Sequence, residues 1–156
     1  MGDVTQEQAN LLLRLYELRR DPRLREAREW FISKFQASSL EEVMKNYPPM
    51  SKENTNIRMT MSYWDMAASI VNRGLIDEEF FFENTGEQWA VWEQIKNLMP
   101  AWRAAFKNPH LFENLEEHAK RLEAWREERS PGMTAAMRQL FERIRQAQTQ
   151  AKAASD

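Results

Sequence analysis

The chain contains no cysteine. That absence excludes disulfide staples, thiolate zinc sites and cysteine nucleophiles together. Glycine is almost as scarce, with four scattered residues, so no glycine-rich loop that could cradle a phosphate can be assembled. No serine lies in a Gly-x-Ser-x-Gly elbow, which removes that route to nucleophilic catalysis. Long apolar runs are missing too. Arg, Asp or Glu interrupts every apolar stretch well short of the roughly 20 residues that a membrane-spanning helix needs. The N-terminal Met1-Gly2-Asp3-Val4-Thr5-Gln6 has no basic region followed by an apolar core. No secretory signal is visible in it, and a cytoplasmic protein with no membrane partner is expected. There is no basic excess either. A formal net charge of −2 and a pI near 5.8 give no general attraction to nucleic acid, and none is expected as a partner.

What the chain does hold is an abundance of Ala, Leu, Glu, Arg, Gln and Met, the residues that lose least on entering a helix. Its 156 residues are enough for one domain with a core of its own. Thr5 and Gln8 stand at capping-box spacing before a helix to about Arg20 that turns Leu11, Leu15 and Leu18 inward. Asp21-Pro22 caps and starts a second helix, which reaches about Gln36 and buries Leu24, Ala27, Phe31 and Phe35. Ser39 and Glu42 repeat the capping spacing before a short third helix that Pro48-Pro49 stops.

The stretch from Asn54 to Arg73 is apolar around most of its circumference. Ile57, Met61, Trp64, Ala68 and Val71 form one stripe, and Met59, Tyr63, Met66 and Ile70 a second. Arg58, Ser62, Asp65, Ser69 and Asn72 leave only a narrow polar seam, so this helix belongs at the centre of a bundle. Gly74 ends it as a left-handed cap, and Asp77 caps a short helix carrying Phe80, Phe81 and Phe82. A longer helix over 87–106 buries Trp89, Trp92, Ile95, Met99, Trp102 and Phe106, with a kink near Leu98 imposed by Pro100. Asn108-Pro109 starts the next helix, which aligns Leu111, Leu115, His118, Leu122 and Trp125. After Ser130-Pro131-Gly132 the last helix uses Met137, Leu140, Phe141 and Ile144, and a tail over about 148–156 frays. The reading is an all-α, single-domain irregular bundle over 1–156, with about seven helices and a central buried helix near 54–73.

Three blocks carry a resemblance: Asp21-Pro22-Arg23-Leu24-Arg25-Glu26-Ala27-Arg28, then Tyr63-Trp64-Asp65 with Arg73-Gly74-Leu75-Ile76-Asp77-Glu78, then Arg103 with Asn108-Pro109-His110-Leu111-Phe112-Glu113-Asn114-Leu115-Glu116. In these the chain resembles an uncharacterised bacterial helical domain-of-unknown-function family. Members of that family often carry a membrane segment ahead of the helical domain and often have Glu at the position of Asp65. No such segment is expected here, and Asp stands at position 65. The resemblance implies a helical fold and supplies no catalytic residues.

Chemistry has little to build on. A di-metal carboxylate bundle needs Glu-x-x-His on two helices. Here Leu115 precedes His118 at that spacing and Lys107 precedes His110, so no metal site and no cofactor are expected. Arg14, Arg19, Arg20, Arg23, Arg25 and Arg28, interleaved with Glu17, Asp21, Glu26 and Glu29, read as a solvated face. A helix-turn-helix made from the second and third helices is rejected, because Glu41 and Glu42 against Lys45 would be repelled from DNA. Two features remain. Asp65, set among aromatic and Met side chains, must meet a cation or amide donors, with Arg103 the first candidate, Arg73 the alternative, and Ser62 on the same seam. Phe80, Phe81 and Phe82 cannot all point inward from one short helix, so that turn is the candidate partner contact. The functional expectation is a non-enzymatic helical interaction or regulatory module with a protein partner or a second copy of itself. The alternative is a small-ligand binder or enzyme whose pocket is lined by Trp64, Asp65, Trp89 and Trp102.

Overall fold

A computed structural model describes residues 2–156, and every regular element among them is a helix. Nine helices follow in order: α1 (Gln6–Arg19), α2 (Pro22–Lys34), α3 (Leu40–Asn46), α4 (Lys52–Asn72), α5 (Glu78–Asn84), α6 (Glu87–Ile95), α7 (Met99–Ala105), α8 (Glu113–Arg129) and α9 (Met133–Ser155). No described helix is long and apolar enough to cross a membrane. The residues divide into two compact units, one up to Lys120 and one over Arg121–Asp156, and α8 runs through the division.

The predicted caps form. Thr5 accepts the Gln8 N–H, Asp21 those of Arg23 and Leu24, Ser39 that of Glu42 and Asp77 that of Phe80, at 2.9–3.2 Å. Each meets an amide that the helix itself leaves without a partner. At the other end of α4, Gly74 has φ +76° and the Leu75 N–H reaches back to the Ile70 carbonyl. This is the double-bonded left-handed stop that glycine adopts without a Cβ penalty.

In the first unit α4 is central. Ile57, Met61, Trp64, Ala68 and Val71 are all buried, and α2, α5 and α6 pack against it, α2 most extensively. Phe31, Phe81, Trp89, Ile95, Met99 and Leu115 complete the core. The second predicted stripe of α4 divides: Tyr63 is buried while Met66 is exposed. On α1 the inward residue is Leu15, and Leu18 is exposed.

The described helices number nine where about seven were expected, and two boundaries differ from expectation, the first of which adds a helix. The segment over 87–106 is two helices, with a turn over Lys96–Leu98 between them. Pro100 has no N–H to give the Lys96 carbonyl, and its ring crowds that carbonyl, so the ladder ends there instead of bending. Beyond the break Trp102 is only half-buried and Phe106 is exposed. Asn108-Pro109 does not open α8. Asn108 Oδ1 accepts the His110 N–H in a local turn (3.0 Å), and helix begins only at Glu113, after Phe112 at φ +55°.

The second unit contains the C-terminal part of α8, a turn with Gly132 at φ +88°, and α9. Glu127 accepts the Gly132 N–H (2.6 Å), Arg138 pairs with Glu123 (2.9 Å), and Arg129 lies over the Trp125 ring (4.8 Å). α9 continues helical through the stretch expected to fray, as its Ala, Gln and Lys content favours.

Candidate functional site

The polar seam of α4 meets amides. Asp65 Oδ1 accepts the Leu115 N–H at 2.9 Å, and Asn72 Nδ2 donates to the Asn114 carbonyl at 3.1 Å. Leu115 is the third residue of α8, so its N–H is one that the helix cannot satisfy itself. A carboxylate from a helix 50 residues away thus caps α8. Burial pushes Asp65 above its ordinary value, the Leu115 N–H opposes that, and Glu113 adds to it.

Arg103 is not the partner of Asp65. Its Nε donates to the Leu111 carbonyl (2.9 Å) and its guanidinium pairs with Glu116 (2.7 Å). Burial works against the ionised Glu116, and Lys120 and Arg103 outweigh it and hold the group below its ordinary value. Arg73 is the exposed C-terminal cap of α4. Ser62 returns its hydroxyl to the Met59 carbonyl of its own helix (3.3 Å). The seam anchors α8.

The Phe80–Phe82 turn is likewise filled inward. Phe81 and Phe82 are buried with their rings edge-on to buried His118, at 5.4 and 5.1 Å, and Phe80 is half-buried. None of the three is an exposed large apolar residue.

The structure assembles a different cluster, centred on Glu87 at the first position of α6. Its Oε1 accepts Arg28 Nε (2.7 Å) and Trp64 Nε1 (3.0 Å), and its Oε2 accepts the second Arg28 nitrogen (2.6 Å). Arg28 also donates to the Arg19 carbonyl at the end of α1 (3.0 Å). Burial disfavours the Arg28 cation, but the fork on Glu87 overcomes it and raises the group. Arg19 lies beside this pair, 3.8 Å from Glu87, with its guanidinium 5.2 Å from the Trp64 ring centre and 5.6 Å from that of Tyr16. Arg19 and Arg28, expected on a solvated face, have side chains only 19% and 13% exposed. By contrast Arg25 does form the expected exposed i to i+4 pair with Glu29.

Next to this cluster lies a cleft of about 230 Å³ between α1, α4 and the end of α5. Three hydrogen bonds hold α1 as its wall: Tyr63 to the Leu15 carbonyl (2.5 Å), Arg28 to the Arg19 carbonyl, and the Asp77 N–H to Gln8 (2.9 Å). Burial raises the Tyr63 phenol well above its ordinary value, so it remains a donor. Of the expected pocket residues Trp64 lines this cleft, while Asp65, Trp89 and Trp102 do not.

Residues 4–122, which contain both cluster and cleft, match the family described as Domain of unknown function (DUF4760). The chain belongs to that family. No curated protein and no solved structure matches it. The match reaches further towards the N-terminus than the blocks that suggested it, and so takes α1, with Arg19, into the DUF4760 domain. Among the described residues no three His, Asp or Glu side chains are grouped to hold a metal ion. His110 and Glu113 form an exposed pair at 2.7 Å.

The Arg28–Glu87 pair had a sequence signal. Leu24, Arg28, Phe31 and Phe35 follow one another by four, three and four, which places Arg28 in the buried stripe of α2. Charge interleaving obscured that position. Arg19 had no comparable signal, because its rings come from two different helices.

A further surface lies on α9, beyond the family match. Met133, Leu140 and Ile144 are exposed and Met137 and Phe141 half-buried. Met133, Met137, Leu140, Ile144, Ala147, Ala151 and Ala154 alternate steps of four and three over the whole helix.

Proposed function

We propose that the chain is a helical protein-interaction module that acts through α9 and takes an acidic amphipathic helix as its partner. The observation that carries this reading is the period of the apolar seam. Steps of four and three average 3.5 residues, the repeat of a helix that winds along another helix; a helix that only covers its own core drifts at 3.6 with a wider stripe. Met133, Leu140 and Ile144 of the seam stand in solvent in its N-terminal half, with Met137 half-buried, and alanines at the other half permit close approach of a second backbone. Charge supports the sign of the partner. α9 carries Arg138, Arg143, Arg145 and Lys152 against Glu142, a basic balance in a chain that is acidic as a whole. A second copy would set like charge against like, whereas a helix with Glu beside its seam would complement it.

The test uses the full chain and two synthetic heptad peptides with one apolar seam, flanked by Glu in one and by Lys in the other. Calorimetry is expected to show saturable binding of the Glu peptide, binding of the Lys peptide at least about 10-fold weaker, and loss of both in the variant L140E/I144E. Equal affinity for the two peptides, no binding of either, or a stable dimer in light scattering that the same variant dissolves would overturn the reading.

A second reading, small-ligand binding, is favoured by the cleft beside Trp64, whose walls are mostly apolar and which opens onto a cationic group.

A further inference from the structure

We infer that the cleft between α1, α4 and α5 is a binding site for a small hydrophobic carboxylate, with Arg19 as the group that receives its head. The inference rests on the ligand-binding reading of that cleft and adds the chemical class.

The body of the ligand follows from the walls. Leu12, Leu15, Tyr16, Tyr63, Trp64 and Phe81 enclose most of a space of about 230 Å³. An apolar cavity of roughly 150 Å³ takes one benzene, so this cleft fits one ring and a short arm. The head follows from an imbalance of charge. Two guanidinium groups, Arg19 and Arg28, face one carboxylate, Glu87. Both oxygens of Glu87 are already engaged, by two nitrogens of Arg28 and by the Trp64 indole. The nearest Arg19 nitrogen stays 3.8 Å from Glu87, and among the described residues the Arg19 guanidinium donates no hydrogen bond. A guanidinium carries five N–H donors in a planar fork, and those of Arg19 are unspent at the edge of an apolar cleft.

That fork is also held in place. The Tyr16 and Trp64 rings lie 5.6 and 5.2 Å from it, within the range at which a ring attracts a cation, so Arg19 is presented in one orientation. A planar carboxylate matches the fork with two parallel hydrogen bonds and neutralises the one uncompensated charge. A dianionic phosphate would exceed that charge beside Glu87, and an amine would be repelled.

The probe is 3-phenylpropionate, titrated calorimetrically into the full chain, with 3-phenylpropanamide as its uncharged counterpart. The carboxylate is expected to bind about 10-fold or more tightly than the amide, the usual gain from a charge-assisted pair. R19Q should reduce the carboxylate to the affinity of the amide and leave the amide unchanged, and R19K, which keeps the charge without the fork, should fall between. Should R19Q fail to fold, the wild-type preference decides, together with the Arg19 Nε–H resonance, which should shift on adding carboxylate and not amide. Equal binding of both probes would overturn the carboxylate inference and leave the ligand-binding reading standing. No binding of either at about 10 mM, a concentration that reveals even fragment-strength affinity, would overturn both.

Discussion

At Glu87 a single carboxylate accepts three hydrogen bonds and joins α2, α4 and α6. Its environment is neither water nor dry core, since its side chain is 20% exposed. The attraction to Arg28 is therefore stronger than that of a surface pair, while the cost of desolvating both groups is only partly incurred. Removing one partner is the informative change. E87A strands the Arg28 cation and the Trp64 N–H together, and should cost about 3 kcal/mol, the low end for breaking a buried pair because some water reaches it. Replacing both ends, as R28M/E87M, removes the stranded charge and should recover more than half of that loss. Urea denaturation of the two variants checks this: a double variant no more stable than E87A would mean that the loss is one of packing around Glu87 and not of unpaired charge.

Elements show why some of the architecture could be read from the chain and some could not. A cap needs one residue type and neighbours within three or four positions, so Thr5, Asp21, Ser39, Asp77 and Gly74 were legible, as was the apolar circumference of α4. Gly74 yields a direct test. An alanine there meets no neighbouring atom, yet φ +76° is a conformation that costs an L-residue roughly 1–2 kcal/mol. G74A should lose about that amount in thermal or urea unfolding, and G74N less, because asparagine tolerates the left-handed region better. An unchanged G74A would mean that the α4–α5 turn can relax out of this conformation. Where the deciding partner is distant in sequence, local reading fails. The start of α8 depends on Asp65, 50 residues earlier, so Asn108-Pro109 looked like a helix start and served as a turn. Arg19 looked like one of several solvated arginines because Tyr16 and Trp64, the rings beside it, are brought together only by the packing of α1 on α4. Asp65 meets the Leu115 amide, while Arg103 finds a closer carboxylate in Glu116.

For the whole molecule these local environments combine into a dependence of stability on pH. Glu26, Glu42 and Glu127 are held below their ordinary value, by the Lys52 ammonium, by the Ser38 hydroxyl and amide, and by the Gly132 amide respectively, and Glu116 is lowered as described. For these four the unfolded chain binds protons more readily than the folded one. Their contribution is complete above the unfolded carboxylate value and is lost as pH falls through the lower folded values. Asp65 has the opposite sign. Its folded value lies above the unfolded one, so the folded state binds the proton more readily, and stability declines as pH rises through that window until the whole penalty is present. The two windows meet near the ordinary carboxylate range and do not cancel. Stability should therefore peak on the acid side of neutrality and decline on either side of the peak. D65N isolates the second limb: its Oδ1 can still accept the Leu115 N–H, but it carries no charge to desolvate. Urea unfolding from about pH 3 to pH 8 should show the two proteins converging at the acid end, with D65N gaining on the wild type as pH rises towards neutrality. Parallel profiles would mean that Asp65 is solvated well enough to ionise without penalty, and the cap it places on α8 would then be an exposed one.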